Sequence, residues 1–453
     1  MKPVILWSDA LLLLMLAVLA LTFWRLRHEE ALRAPWRQVM RGRMGAASGV
    51  VLLAFAVIGL LDSLHYVERL PDTEPGQPAQ YGGEVRSALD ALLTPLREGV
   101  EKTYSAPFAT HLYVKQAMTR ADGVDVRDYP RLAHGGAHLA DPASEFWPDV
   151  SRRILAGLAG GVLLWLPLWL AFGRARAGRP ASPGRRAAWA TLLGVMLTAG
   201  LLVDLAPHYH VLGTDKVGQD VLYLSLKSIR TGLLIGTLTT LIMLPFALTL
   251  GIAAGYFGGR VDDLIQYLYT TLNSIPGVLL IAAAVLVVQV QIETHPDWFD
   301  TAAARGDARL LALCGILGLT GWTGLARLLR GEVLKLRELE FVQAARAFGV
   351  RHTRILARHL LPNVMHLVLI ALVIDFSGLV LAEAVLSYVG VGVDPGMNSF
   401  GNMINGARLE LAREPVVWWQ LAAAFVFLFT LVLAANLFAD SVREALDPRG
   451  RRR

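Results

Sequence analysis

Charge is scarce in this chain: 18% of its 453 residues are Asp, Glu, Lys or Arg, against about 25% in ordinary soluble proteins. That shortage argues against a soluble globular class. Cysteine is nearly absent. Cys314 stands alone inside an apolar run, so no intrachain disulfide can form, and its place is that of a small buried apolar residue. No G-x-x-x-x-G-K-S/T loop occurs, which excludes that way of binding ATP. There is no H-E-x-x-H, G-x-S-x-G or C-x-x-C either, so catalysis and metal chemistry have no recognisable carrier. No internal repeat and no inverted pair of Gly/Pro-broken spans marks a secondary-transporter core.

What remains is apolar. Hydrophobic residues make up 54% of the chain, and the mean hydropathy is positive. This composition predicts an all-α polytopic membrane protein, since a helix needs about 20 apolar residues to cross the hydrocarbon core. Nine spans are expected: Val4–Trp24, Gly45–Leu64, Ile154–Phe172, Ala187–Leu205, Thr231–Tyr256, Val261–Val290, Leu310–Leu329, Val364–Tyr388 and Trp418–Phe438. The net charge of +6 comes from short basic clusters beside these runs, with no outward basic stripe, so membrane lipid and not nucleic acid is the expected partner.

The clusters orient the chain. Arg25, Arg27, Arg33, Arg37, Arg41 and Arg43 follow the first span. Arg174, Arg176, Arg179, Arg185 and Arg186 separate the third and fourth. Arg327, Arg330, Lys335, Arg337, Arg346, Arg351, Arg354 and Arg358 lie after the seventh, and Arg443, Arg449 and Arg451–Arg453 close the chain. With nine spans all four clusters fall on one side. That puts the N-terminus outside and the C-terminus in the cytoplasm. The first span has a single Lys before it and a basic stretch after it, which fits an uncleaved anchor.

Residues 65–150 form an outside segment with Pro and Gly near both ends, Pro71–Pro75 and His134–His138. Within it Val85, Leu89, Leu92 and Leu96 are spaced as an amphipathic helix over Glu84–Lys102. His111, His134, His138 and Asp141 lack tight ligand spacing and read as surface residues, not a metal site. Ionisable residues inside spans are few: Asp9, Asp62, Asp204, Asp375 and Glu383. Asp62 and Asp204 sit near span ends, where they can reach water. Asp375 and Glu383 lie deep in the eighth span, where a charge costs about 2.5–3.5 kcal/mol on insertion scales. They should face protein or a polar cavity, as part of a translocation path or as structural hydrogen-bonding groups.

One polar island is too well patterned for a plain loop. In Glu340–Gly349, Phe341, Val342, Ala345 and Phe348 share one face of a short helix, and Gly349 can end it. Ile355, Leu356, Leu360 and Leu361 share a face of a second short helix, with Pro362 placed to weaken its continuation. Such a hairpin on a membrane surface needs its own membrane domain or a partner protein to bury its apolar face.

These residues resemble the "EAA" loop of ABC-importer membrane subunits, whose pattern is E-A-A, three residues, G, nine residues, then I-x-L-P. Here it reads Gln343, Ala344, Ala345, then Gly349, then His359-Leu-Leu361-Pro362 with the spacing kept. Arg358-His-Leu-Leu-Pro-Asn363 is similar to the dipeptide/oligopeptide branch. Leu212-Gly213-Thr214-Asp215 with Gly218-Gln-Asp220-Val221 resembles that branch's L-G-T-D-x-x-G-R-D-V. Ala382-Glu383 with Leu386–Gly392 resembles A-E-x-x-L-S-F-L-G-L-G. Asn436 with Asp440–Pro448 resembles N-L-x-G-D-x-L-R-D-x-L-D-P. The resemblance covers residues 187–448. Gln343, Gln219 and His359 depart from the general patterns, and Gln343 removes a negative charge from the loop.

The resemblance implies a C-type permease subunit of the peptide/opine/nickel importer family in a bacterial inner membrane. It implies a six-helix type I ABC-importer permease core over residues 187–453, with a cytoplasmic coupling loop at 331–362. Residues 1–64 (two extra helices), 65–150 (the outside segment) and 151–186 (a third extra helix and linker) fall outside it. Its implied partners are two ABC ATP-binding subunits, a second, B-type permease and an extracytoplasmic binding protein. The chain itself would hold no cofactor, and ATP and Mg²⁺ would sit on the ATPases. Phe341, Gln343, Ala344, Ala345, Gly349, Leu361 and Pro362 would form the coupling loop. Gly213, Thr214, Asp215, Gly218 and Asp220 would lie near the outer face, their Thr and Asp suited to capping a helix or touching a ligand. The same segment is expected to pack an amphipathic helix at the interface. The rivals are a membrane scaffold or signalling subunit that binds an ATPase without moving solute, and a secondary transporter.

Overall fold

The structure, a computed structural model, describes residues 2–26, 30–69, 81–119, 125–173, 182–299 and 301–446. Pro71–Pro75, Arg27, Arg174, Arg176, Arg179, Asp447-Pro448 and the last arginines lie outside the described residues. A short strand β1 (Lys2–Val4) precedes helix α1 (Trp7–Leu26), α2 (Glu30–Arg41) and α3 (Arg43–Asp62). The segment between α3 and α6 holds β2 (His65–Arg69), β3 (Tyr81–Ser87), α4 (Ala88–Leu92), α5 (Thr94–Glu98), β4 (Gln116–Thr119) and β5 (Asp125–Asp128). Long helices follow: α6 (Pro142–Leu168), α7 (Pro183–Leu205), α8 (Val221–Phe257), α9 (Gly259–Ser274), α10 (Gly277–Thr294) and α11 (Ala302–Leu336). The chain ends through α12 (Glu340–Ala347), α13 (His352–Ile355), α14 (Leu361–Tyr388), α15 (Phe400–Arg408) and α16 (Trp419–Leu446).

The protein is an all-α polytopic membrane protein with only small sheets. Eight described helices are long and apolar enough to cross a membrane. Each coincides with one expected span. The remaining expected span, Val4–Trp24, falls on α1, whose apolar stretch Trp7–Thr22 is shorter than the other eight.

Several boundaries differ from the sequence reading, for local reasons. The expected span Val261–Val290 is two helices, broken at Ile275-Pro276, because the residue before a proline is driven out of the helical region. The fifth span starts at Val221, not Thr231, although Lys227 and Arg230 lie in the added turns. Lys227 Nζ is paired with Asp62 at 2.5 Å and Asp90 at 3.0 Å, and Arg230 Nε donates to Ser63 Oγ. With these partners the two cations no longer stop the helix. The amphipathic helix expected over Glu84–Lys102 is instead a strand and two five-residue helices. Ser87 and Asp90 form a reciprocal capping box that starts α4, and Pro95 sits in the first turn of α5. Val85 pairs with Val67 across the sheet, while Leu89 and Leu96 are buried.

The chain forms two compact units that are not consecutive stretches. The first takes 1–5, 29–232 and 395–441; the second takes 6–28, 233–394 and 442–453. In the first unit β1-β2-β3 form an antiparallel sheet and β4-β5 a hairpin. The outside segment has its own buried side chains, Tyr104, Leu112, Leu132 and Leu139. Helix α6 packs on α7 through Gly157 and Gly161. A Cβ on Gly157 would lie 2.8 Å from the Gly200 carbonyl, so the backbones are nearly in contact, as in membrane helix pairs built on small residues. In the second unit α8, α9, α11, α12, α13 and α14 share one apolar core around Leu329, Val333, Val342, Ile355 and Val364. Helix α1 joins this unit: the Ser8 backbone N–H donates to Asp307 of α11 at 3.0 Å, and the Ser8 hydroxyl donates to the same carboxylate.

Candidate functional site

The polar island forms a helical hairpin anchored in the second unit. The face predicted as one stripe is divided. Val342 and Ala345 are buried in the shared core, whereas Phe341 is 43% and Phe348 87% exposed. The chain's own membrane domain therefore buries the underside of α12, and two phenylalanines stay outside. Helix α12 ends in a Schellman motif. Val350 N–H donates to Ala345 O and Gly349 N–H to Arg346 O, both at 3.0 Å, with Gly349 at φ +71°. Nothing lies within 4 Å of a Cβ built on Gly349, so glycine is required there by its dihedral and not by crowding. Gln343 is exposed, and its Nε2 donates to Glu338 O at 3.0 Å. Ala344 is also exposed.

The second short helix is not separate. Helix α13 passes through a π-helical turn, Leu356–Leu360, directly into α14, so His352–Tyr388 is one helical rod. Pro362 does not stop it, because it falls in the first turn of α14, where an α-helical N–H bond is not required of it. Leu360 is buried, Leu361 half-buried and Pro362 exposed.

Tyr256, His352 and Asp262, none of them singled out in the sequence, give polar contacts at and beside this hairpin. The Arg346 guanidinium lies 4.4 Å from the centre of the Tyr256 ring, and Tyr256 Oη lies 2.8 Å from His352 Nδ1. Arg330 of α11 makes a two-pronged pair with Asp262 of α9, at 2.5 and 2.7 Å. An arginine beside an apolar run is the signal that pointed here, but its partner is far away in sequence.

The family-like motif near the outer face is a tight loop; the interfacial helix expected there is not formed. Gly213 and Gly218 have φ of +72° and +81°. The Thr214 hydroxyl donates to Thr103 O at 3.0 Å and accepts from Ser105 N–H at 2.6 Å. Asp215 accepts the N–H groups of Val217 and Gln219, closing the turn. Asp220 is the residue that caps: its Oδ1 accepts from Leu222 and Tyr223 at the start of α8. Trp419 Nε1 donates to Thr214 O at 2.9 Å. A Cβ on Gly218 would lie 1.8 Å from the Glu101 carbonyl oxygen, so the outside segment lies directly on the motif.

Glu101 and His210 complete this cluster. Glu101 accepts the backbone N–H groups of Ala133, His134 and Gly135, and His210 bridges Asp220 at 2.8 Å and Glu101 at 3.4 Å. Burial opposes the charge on each. The two carboxylates around His210 outweigh it and hold the imidazole at about 9. His210 and the three N–H groups hold Glu101 down at about 2.

The two deep carboxylates differ. Glu383 is buried and accepts from Ser387 Oγ at 2.7 Å. Asp375 is half-buried, with no hydrogen-bond or ion partner among the described residues. The outer histidines have separate surroundings. His138 pairs with Asp149, His111 lies beside Thr110, and Asp141 caps α6.

Membrane-length helices that carry a hairpin with one face buried and two aromatic side chains exposed make up a polytopic membrane protein. Residues 247–452 match the family described as "Binding-protein-dependent transport system inner membrane component". The oligopeptide transport system permease protein OppC of Mycobacterium tuberculosis is 33% identical over 242 residues, covering 53% of this chain and 77% of that protein. The dipeptide transport system permease protein DppC of Bacillus subtilis is 29% identical over 243 residues, with 54% and 70% covered. The glutathione transport system permease protein GsiD of Pectobacterium atrosepticum is 31% identical over 240 residues, with 53% and 73% covered. The chain belongs to this family: it is a multi-pass inner-membrane permease of the ABC-importer type, in the peptide-transport group.

Proposed function

We propose that this permease carries di- or oligopeptides, or similar small solutes, inward, and that it couples ATP hydrolysis on partner subunits to alternating access. Two ABC ATP-binding subunits, a B-type permease and an extracytoplasmic binding protein complete the machine. ATP and Mg²⁺ belong to the ATPases, since this chain has no P-loop. The orientation follows the basic clusters, with the N-terminus outside and the hairpin in the cytoplasm. The observation that carries this reading is the divided face of α12. Its underside is fixed in the membrane domain, and Phe341 and Phe348 remain free to enter a groove, a recurring way for a helix to dock. Ala344, Gln343 and Gly349 are exposed as well. In the eighth span Asp375, with no partner of its own, suits the translocation path better than Glu383, which is already bonded to Ser387. The names of the relatives favour peptides as solutes and keep glutathione-like compounds open.

The test is the reconstituted complex. ATP should drive accumulation of a peptide against its gradient. Ala345→Asp and Gly349→Pro should abolish it while the subunit still inserts, because one buries a charge under α12 and the other removes the φ and the N–H that close the Schellman motif. ATP hydrolysis without accumulation in the wild-type complex would favour the scaffold reading.

A further inference from the structure

We infer that Tyr256, Arg346 and His352 are positioning residues for transport: a three-part brace whose central Tyr256 hydroxyl carries displacement of the loop helix into the span that begins at His352. The inference rests on the importer reading above.

Below α12 the contacts are of two kinds. Val342 and Ala345 bury apolar surface in the shared core. That attraction is non-directional, and by itself lets a short helix roll or slide. The directional contacts pass through Arg346. Its guanidinium lies on the Tyr256 ring, its Nε is 3.4 Å from Tyr256 Oη, and its Nη2 is 3.5 Å from the Tyr256 carbonyl oxygen. The Gln343 amide, by contrast, returns to Glu338 in the turn before the helix and fixes nothing beyond it.

Tyr256 has a second partner. Its hydroxyl is 2.8 Å from His352 Nδ1, and the His352 ring packs edge-on against both Tyr256 and Phe257, with centroids 5.6 and 5.7 Å away. His352 opens the helical rod that runs without interruption to Tyr388. Arg337, at the end of α11, donates to Gly255 O at 3.3 Å and so ties a third helix to the same turn. Tyr256 is 2% exposed, while Arg346 and His352 both reach the surface. Arg346 Nε lies 3.4 Å and His352 Nδ1 2.8 Å from Tyr256 Oη, which joins the three groups into one chain from the loop helix to the rod. Remove Oη and both links go, while the ring, its stacking and the apolar core stay.

The experiment uses the whole complex, this chain with its ATPase, permease and binding-protein partners, in proteoliposomes with trialanine as the probe. ATP hydrolysis and trialanine uptake are measured on the same vesicles. In Tyr256→Phe, hydrolysis should stay near the wild-type rate, while trialanine taken up per ATP falls about fivefold, the size of one buried hydrogen bond. His352→Leu should behave alike. His352→Asn, which restores a polar atom near the Nδ1 position, should recover most of the ratio. Unchanged uptake per ATP in Tyr256→Phe and His352→Leu would overturn the brace. So would hydrolysis and uptake falling together, which marks only a structural prop. If the wild-type complex hydrolyses ATP and takes up no trialanine, the importer reading itself fails and the brace with it. That arm separates the two failures.

Discussion

The Gly213–Asp220 motif and the Glu340–Pro362 hairpin are both family-like segments closed by a left-handed glycine, yet they are held by different forces. Around Gly218 the surroundings are crowded, buried and charged: a carbonyl sits where a side chain would be, and His210 lies between two carboxylates. Around Gly349 there is open space, and what holds the hairpin is an apolar underside and one tyrosine. The difference teaches what each segment is suited to do. A buried ion cluster resists any rearrangement that would leave one charge alone. An apolar underside tolerates small shifts so long as its area stays covered. On the proposed reading the Gly213–Asp220 motif would be a fixed joint to residues 81–139, and the hairpin the element that moves as a body.

The largest expected effect is at Glu101. Glu101→Ala takes away one of the two carboxylates of His210, leaving it Asp220 alone, and strips three backbone N–H groups of their acceptor; breaking such a pair costs about 3–5 kcal/mol. Hydrogen exchange should show residues 101–139 losing protection while the hairpin keeps its own. Loss of protection at both would break the contrast. Gly218→Ala comes next, at about 3 kcal/mol, since crowding adds to the left-handed penalty. Gly349→Ala should cost only about 1–2 kcal/mol, the dihedral penalty alone. A thermal melt of the two alanine variants side by side sharpens the comparison, and equal losses would refute it.

Acidity probes the same cluster without mutation. His210 is raised from 6.5 to about 9, so its contribution is complete below pH 6.5 and lost as pH rises through about 9. Glu101 is lowered from 4.5 to about 2, so its contribution is complete above pH 4.5 and lost as pH falls through about 2. Protease resistance of the outside segment should therefore decline toward pH 9 in the wild type, and His210→Gln should flatten that decline. The smallest stability effect is expected at Phe348, 87% exposed. Phe348→Ala should shift stability by no more than about 0.5 kcal/mol, and yet weaken capture of the ATPase partner in a pull-down. Full capture by this variant would remove Phe348 from the docking face.

Much of the architecture was readable from the residues. Long apolar runs announce their helices, because each must satisfy its own backbone in lipid. The spacing of Gln343, Gly349 and Pro362 announced the hairpin, and Gly349 its end. Where the reading stopped short, the missing information was a partner distant in sequence. The span expected from Thr231 begins ten residues earlier because Asp62 and Asp90 neutralise Lys227. Glu101 has its partners at positions 133–135 and 210. Gly157 and Gly161 show the small-xxx-small spacing of packed membrane helices. That signal was present in the sequence but went unused until Gly200 was found against it.

The sequence by itself determined the class of this protein, the apolar helices and the turn at Gly349, because those depend on local hydropathy, spacing and backbone sterics. Tertiary structure alone decided that residues 29–186 fold with the start of the family core into one compact unit, and that α1 joins the other. It also decided which half of the α12 face is buried and which charges lie between opposite charges. These outcomes depend on contacts between groups far apart in the chain, such as Glu101 with His210 or Tyr256 with His352. Burial and pairing are properties of a place in the fold, which a residue's neighbours in the chain do not supply.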